Sequence, residues 1–124
     1  MAFRPDPRWV SETRSTTAAF LQRAALPEAL VSDVVLAVSE LVTNAIVHGE
    51  GDVCLQVSVE SEEVRVSVSD QSPERAVLVQ AEGDRESGRG VLLVAAFAQA
   101  WGSSGAETWC SFRHPEKPVT GAAA

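Results

Sequence analysis

Apolar and polar positions alternate with two different periods along this chain, and the change of period divides it into elements. Val10, Thr13, Thr17, Phe20, Leu21 and Ala24 recur at helical spacing, which predicts a first amphipathic helix running to about Ala25. Asp6 suits its N-cap and Pro7 its first helical position. Leu26-Pro27 interrupts the pattern, because Pro27 disfavours helix at the residue before it but can open a new one. Val31, Val34, Val35, Val38, Leu41, Val42, Ala45 and Ile46 then form a broad apolar stripe that predicts a second helix, stopped at Gly49 after His48. From Val53 the period changes to two. Val53–Val59 and Val64–Asp70 alternate strictly on either side of the polar turn 60–63, an antiparallel hairpin with one buried face.

Beyond Asp70 the pattern weakens. Residues 71–89 are rich in Ser, Glu and Gly, and a segment of that length without strong structure in a small domain points to a functional loop. Val91–Ala100 reads as an apolar helix opened by Gly88-Arg89-Gly90, and Trp101-Gly102 with Thr108–Arg113, separated by Gly105, as a closing strand pair. The length predicts one domain over residues 1–124, with a core expected at about 6–113 and a frayed tail at 114–124.

Ten basic residues against seventeen acidic ones leave a net charge of −7, which disfavours general nucleic-acid binding, since phosphate binding needs a positive patch. A protein partner or a metal-bridged nucleotide suits that surface better. Lys117 is the only lysine beside nine arginines, and Tyr is absent, a composition that suggests a G+C-rich bacterial coding sequence. Cys54 and Cys110 have no CxxC spacing, no secretory segment follows Met1, and no apolar run approaches the roughly 20 residues that span a bilayer. The expectation is a reduced, cytoplasmic protein without membrane association.

Three constellations could carry chemistry. Glu40 and Asn44 lie four residues apart on one helix face, with His48 a turn further, on a stripe that borders the valine face. An Asn inside a helix competes for backbone groups; the only one in the chain, on a carboxylate face, is either a ligand, such as an oxygen for Mg²⁺, or part of a polar helix margin. Asp70 shares strand parity with Val64, Val66 and Val68, so its carboxylate points toward the core and needs a partner. A backbone cap for the turn at Gln71-Ser72-Pro73, an internal arginine and an amino group of a ligand are all open. Gly88-Arg89-Gly90 would let backbone approach a phosphate at a helix N-terminus, or merely start the helix.

Taken in order, these segments resemble the boxes of the Bergerat-fold (GHKL, histidine kinase-like) ATPases. Glu40-Leu41-Val42-Thr43-Asn44-Ala45-Ile46-Val47-His48-Gly49 is similar to the N-box, Asp70-Gln71-Ser72-Pro73 to the adenine-binding box, and Gly88–Val94 to a second glycine box. The resemblance is nearest to the anti-sigma-factor serine kinases and their small stand-alone actinobacterial relatives. It implies a two-layer α/β sandwich, with a mixed, mainly antiparallel sheet, helices on one face, and ATP between the layers. It further implies that Asn44 ligates Mg²⁺ on the ATP phosphates, that Asp70 accepts from the adenine amine, and that Gly88, Arg89, Gly90 and Val91 wrap the phosphates. Glu40 would be the general base of a serine/threonine kinase, and His48 structural. The implied partners are a sigma factor and a small antagonist protein, with a possible homodimer. A catalytically inactive nucleotide-binding or protein-binding module acting by contact alone is the alternative. Relatives carry a Thr two residues before the last-strand Trp; here that position is Glu107, with Thr108 one place off and so on the opposite face of a strand.

Overall fold

The computed structural model of the chain describes residues 1–72 and 98–114. Its elements are β1 (Ala2–Phe3), α1 (Arg8–Arg23), α2 (Glu28–His48), β2 (Val53–Val59), β3 (Glu63–Ser69), β4 (Ala100–Ser104) and β5 (Glu107–Arg113). The strands form one sheet in the order β1-β2-β3-β5-β4, and every pairing among the described residues is antiparallel.

The start of α1 follows from two adjacent residues. Pro7 already has helical backbone angles, and the Asp6 carboxylate accepts the Arg8 amide at 3.0 Å, satisfying one of the free N–H groups at the helix start. Ala25, at φ 59°, turns the chain out of α1 in the left-handed region. Pro27 is extended, and its carbonyl accepts the amides of Leu30 and Val31, so the second helix begins at the break expected from Leu26-Pro27. Gly49 ends α2, its amide returning to the Ala45 carbonyl.

The core lies between α2 and the inner sheet face. Val31, Val34, Ala37, Val38, Leu41, Val42 and Ala45 of α2 meet Val53, Leu55, Val64, Val66, Val68, Cys110 and Phe112, all buried. Valine is a modest helix former, so this burial, at roughly 25 cal/mol per Å² of apolar surface, holds α2 helical more than intrinsic propensity does. α1 packs on α2 through Leu21, and its buried Thr13 donates its hydroxyl to the Trp9 carbonyl at 2.8 Å, which removes the cost of burying it. Both helices therefore lie on one face of the sheet, the two-layer α/β sandwich expected from the sequence.

Three expectations need correction. Strand β1 was absent from the sequence pattern: two residues are too few to show a period, and its place is fixed by Ala2↔Cys54, Phe3↔Val53 and the stacking of Phe3 on Trp9 at 5.1 Å. Ala98–Ala100 is not the end of a helix. The Gln99 amide joins the Ser111 carbonyl and Ala100 already belongs to β4; residues 91–97 of the expected helix lie outside the described residues. α2, at 21 residues, is long and apolar enough to cross a membrane, contrary to the expectation that no such run exists; its apolarity here faces the sheet and α1.

Candidate functional site

Glu40 and Asn44 sit on successive turns of α2, both half-buried, on the margin of the valine face. Among the described residues neither side chain has a hydrogen-bond or ion-pair partner. A half-buried amide and carboxylate left without partners at the edge of a core are poised to receive groups from outside the chain. His48, in the last turn, is exposed and lies where a positive charge complements the helix dipole.

Asp70 stands just past β3, at the C-terminal end of α2. Its amide prolongs the sheet by donating to the Ala106 carbonyl at 3.2 Å. Oδ1 accepts the Ser72 amide at 2.6 Å, so the turn-cap role left open by the sequence is filled. Oδ2 is seated against Gly49: a Cβ at that position would overlap both Oδ2 and the Ala45 carbonyl oxygen. No ion pair joins Asp70 to an arginine among the described residues. This corner collects negative ends, namely a carboxylate and the last carbonyls of a helix, and so favours a hydrogen-bond donor such as an exocyclic amine.

The loop between α2 and β2 is fastened to the same place. The Gln71 amide donates to the Glu50 carbonyl at 2.8 Å, and Gln71 Oε1 accepts the Asp52 amide at 3.1 Å. Gly51, at φ 68°, lies so close beneath the Gln71 side chain that a Cβ there would overlap it. Sequence reasoning passed over Gly49 and Gly51 as site residues. The signal was Gly49-Glu50-Gly51, two glycines bracketing one residue between a helix end and a strand.

The β3–β5 register decides the orientation of the last strand. Val68 pairs with Thr108 and Ser69 with Glu107. Thr108 is therefore on the inner face with Val64, Val66 and Val68, and is buried. Glu107 is on the outer face, where its carboxylate accepts the Ser67 hydroxyl. Trp109 also faces outward, with Gly102 beside its indole and the Arg65 guanidinium 4.4 Å above its ring. The hydroxyl that shares the layer of Asp70 is thus that of Thr108, and the glutamate is turned away.

Cys110 is buried on the inner face; desolvation pushes its thiol from an ordinary value of 9.0 up to about 12, opposed slightly by Arg65. It is an inert core residue. Gly88, Arg89, Gly90 and Val91, the expected phosphate-wrapping segment, lie outside the described residues.

The donors that are described suit a nucleotide better than a bare metal. No group of three or more His, Cys, Asp or Glu side chains among the described residues could hold a cation. A Mg²⁺ ion, which keeps several waters and binds through few protein oxygens plus phosphates, fits a lone Asn44. No curated protein matches the chain. A family model described as the histidine kinase-like ATPase domain matches residues 3–112, a span that includes α2 and all but the last residue of the final strand. By that match, and with the sheet-and-helix architecture in agreement, the chain belongs to the histidine kinase-like ATPase domains, an ATP-binding family.

Proposed function

We propose that the protein is a regulatory serine/threonine kinase of the anti-sigma-factor branch, which binds Mg-ATP between α2 and the sheet and phosphorylates a small antagonist protein. The observation that carries this proposal is the pair Glu40 and Asn44, without partners among the described residues, on the same helix whose end abuts Asp70. Asn44 precedes Gly49 by five residues and Glu40 by nine. At about 1.5 Å per residue they stand roughly 7.5 and 13.5 Å along the axis from the Asp70 corner. An extended nucleotide with its base at Asp70 would run its phosphates back toward those two side chains.

In this scheme Asp70 accepts from the adenine amine, Thr108 supplies a hydroxyl beside the base, and Asn44 offers its amide oxygen to the phosphate-bound Mg²⁺. The cation, when bound, neutralises phosphate charge. Gly88, Arg89, Gly90 and Val91 would close on the phosphates. Glu40 takes the proton of the attacking Ser or Thr hydroxyl as its oxygen bonds to the γ-phosphorus; the bond to the β–γ bridging oxygen breaks and ADP leaves. A positioned base of this kind contributes roughly 10²- to 10⁴-fold, and the remainder is positioning and charge neutralisation. We further propose a cytoplasmic location, a sigma factor as the second partner, and a homodimer as the working form.

The test is transfer of label from γ-labelled ATP to a candidate antagonist, with Mg-ATP affinity measured in parallel by calorimetry. Glu40→Ala should abolish transfer, by at least about 100-fold, and leave nucleotide affinity within about threefold. Binding without transfer in the parent protein would instead identify a module that regulates by contact. Absence of Mg-ATP binding would remove the site assignment altogether.

A further inference from the structure

Gln71 bonds to neither Glu40 nor Asn44, but it ties the loop after α2 to the residue next to Asp70. Its Oε1 accepts the Asp52 amide at 3.1 Å across a separation of nineteen residues, and its backbone N–H donates to the Glu50 carbonyl at 2.8 Å. These two bonds fix the α2–β2 loop to the residue that follows Asp70. The same loop supplies Gly49, against which Asp70 Oδ2 rests, and Gly51, whose missing Cβ leaves room for the Gln71 amide group. Oδ1 is held separately by the Ser72 amide at 2.6 Å. The Asp70 carboxylate is thus held on one side by its own turn and on the other by Gly49, which is anchored to the end of α2 through the Ala45 carbonyl and adjoins the Glu50 that Gln71 bonds.

We propose that Gln71 is a positioning residue that sets nucleobase selection: by pinning the Gly49–Asp52 loop, it holds the Asp70 carboxylate in the orientation that accepts an exocyclic amine, without contacting the base itself. The proposal rests on the assignment of Asp70 to the base. A loosened loop would let Gly49 draw away and Oδ2 rotate into the space vacated. The amine would then lose a directed acceptor, while the phosphate end of the site would be untouched. Gln71 should therefore act on the preference for a 6-amino over a 6-oxo purine and not on nucleotide binding in general.

The experiment compares Mg-ATP with Mg-ITP, which carries a carbonyl in place of the adenine amine, by calorimetry on the full chain. It uses Gln71→Met, which keeps the length of the side chain and removes the acceptor, and Gln71→Glu, which keeps an acceptor oxygen for the Asp52 amide. The unmodified protein should prefer ATP by roughly 100-fold or more, because a site built to hydrogen-bond a group rejects the analogue that lacks it. Gln71→Met should cut that ratio at least tenfold through weaker ATP binding, with ITP affinity changed less than about threefold, and Gln71→Glu should restore most of it. Amide hydrogen exchange of Asp52 in the nucleotide-free protein should accelerate at least tenfold in Gln71→Met only. An unchanged ATP/ITP ratio in Gln71→Met, or equal losses for both nucleotides, overturns the role of Gln71 while leaving Asp70 in place. If the unmodified protein does not distinguish ATP from ITP, the assignment of Asp70 to the base falls, and the role of Gln71 falls with it.

Discussion

Parity alone makes Asp70 conspicuous, because a carboxylate continuing the face of Val64, Val66 and Val68 must find partners or stay out of the fold. It finds one in the Ser72 amide and presents its other oxygen to the end of α2. That Asp70 faces the core and needs a partner was legible from the alternation of β3, since a period of two needs no tertiary knowledge; which partner it takes was left open between a turn cap, an arginine and a ligand amine. Gly49, Gly51 and the side chain of Gln71 were not legible as a unit, because what unites them is the approach of two segments distant in sequence. Cys110 shows the same limit from the core side. Its burial raises the thiol to about 12, so the folded state keeps the proton that the unfolded chain releases near 9.0. For a group whose folded pKa is raised, the stabilisation is complete below the unfolded value and is lost as pH rises through the folded one. Stability should therefore fall between about pH 9 and pH 12 by at most about 1.4 kcal/mol per pH unit from this group. Denaturant midpoints taken across pH 8 to 11 should show that slope, and Cys110→Ala should flatten it. An identical slope in the variant would mean that other groups titrate instead.

Whole elements were read from the sequence where their apolar period was long and failed where it was short. The β2–β3 hairpin appears at Val53–Val59 and Glu63–Ser69, within one residue of its expected bounds, and α2 ends at His48 as Gly49 foretold. The two-residue β1 and the start of β4 were missed, since neither contains a full cycle of any pattern. The face of β5 could not be settled from sequence either: a one-residue shift exchanges Glu107 and Thr108, and only the pairing with β3 fixes it. The link between the helices contains an element-scale prediction. Ala25 holds φ 59° where α1 ends, a region that costs an L-residue roughly 1–2 kcal/mol and a glycine almost nothing. Some of that gain is cancelled because glycine enlarges the unfolded ensemble. Ala25→Gly should raise stability by about 0.5–1 kcal/mol in chemical denaturation, without altering nucleotide affinity. A loss of stability would show that the turn gains more from alanine's restriction than it loses to strain.

At the scale of the molecule, the excess of acidic over basic residues bears directly on the ligand. A chain of net charge −7 repels a free triphosphate, and the described residues contain no trio of metal-ligating side chains that would hold a cation in advance. In the proposed scheme the cation arrives with the nucleotide, its charge offsetting both the phosphates and the protein, and Asn44 would add a neutral oxygen without further repulsion. Glu82, Asp84 and Glu86, which contribute to that charge, lie outside the described residues. ATP should bind at least tenfold more weakly in EDTA than with millimolar Mg²⁺, a difference of about 1.4 kcal/mol or more. Salt gives the electrostatic origin its own signature. Raising the ionic strength from about 0.01 M to 0.15 M shortens the screening length from roughly 30 Å to 8 Å. That change should strengthen metal-free ATP binding, whereas a purely coordinative requirement would leave it unmoved. Calorimetric titration of the full chain in the four combinations of metal and salt separates the two. Equal affinity with and without Mg²⁺ would mean that cationic groups of the chain itself neutralise the phosphates, and Arg89, at the centre of Gly88-Arg89-Gly90, would be the first residue to replace.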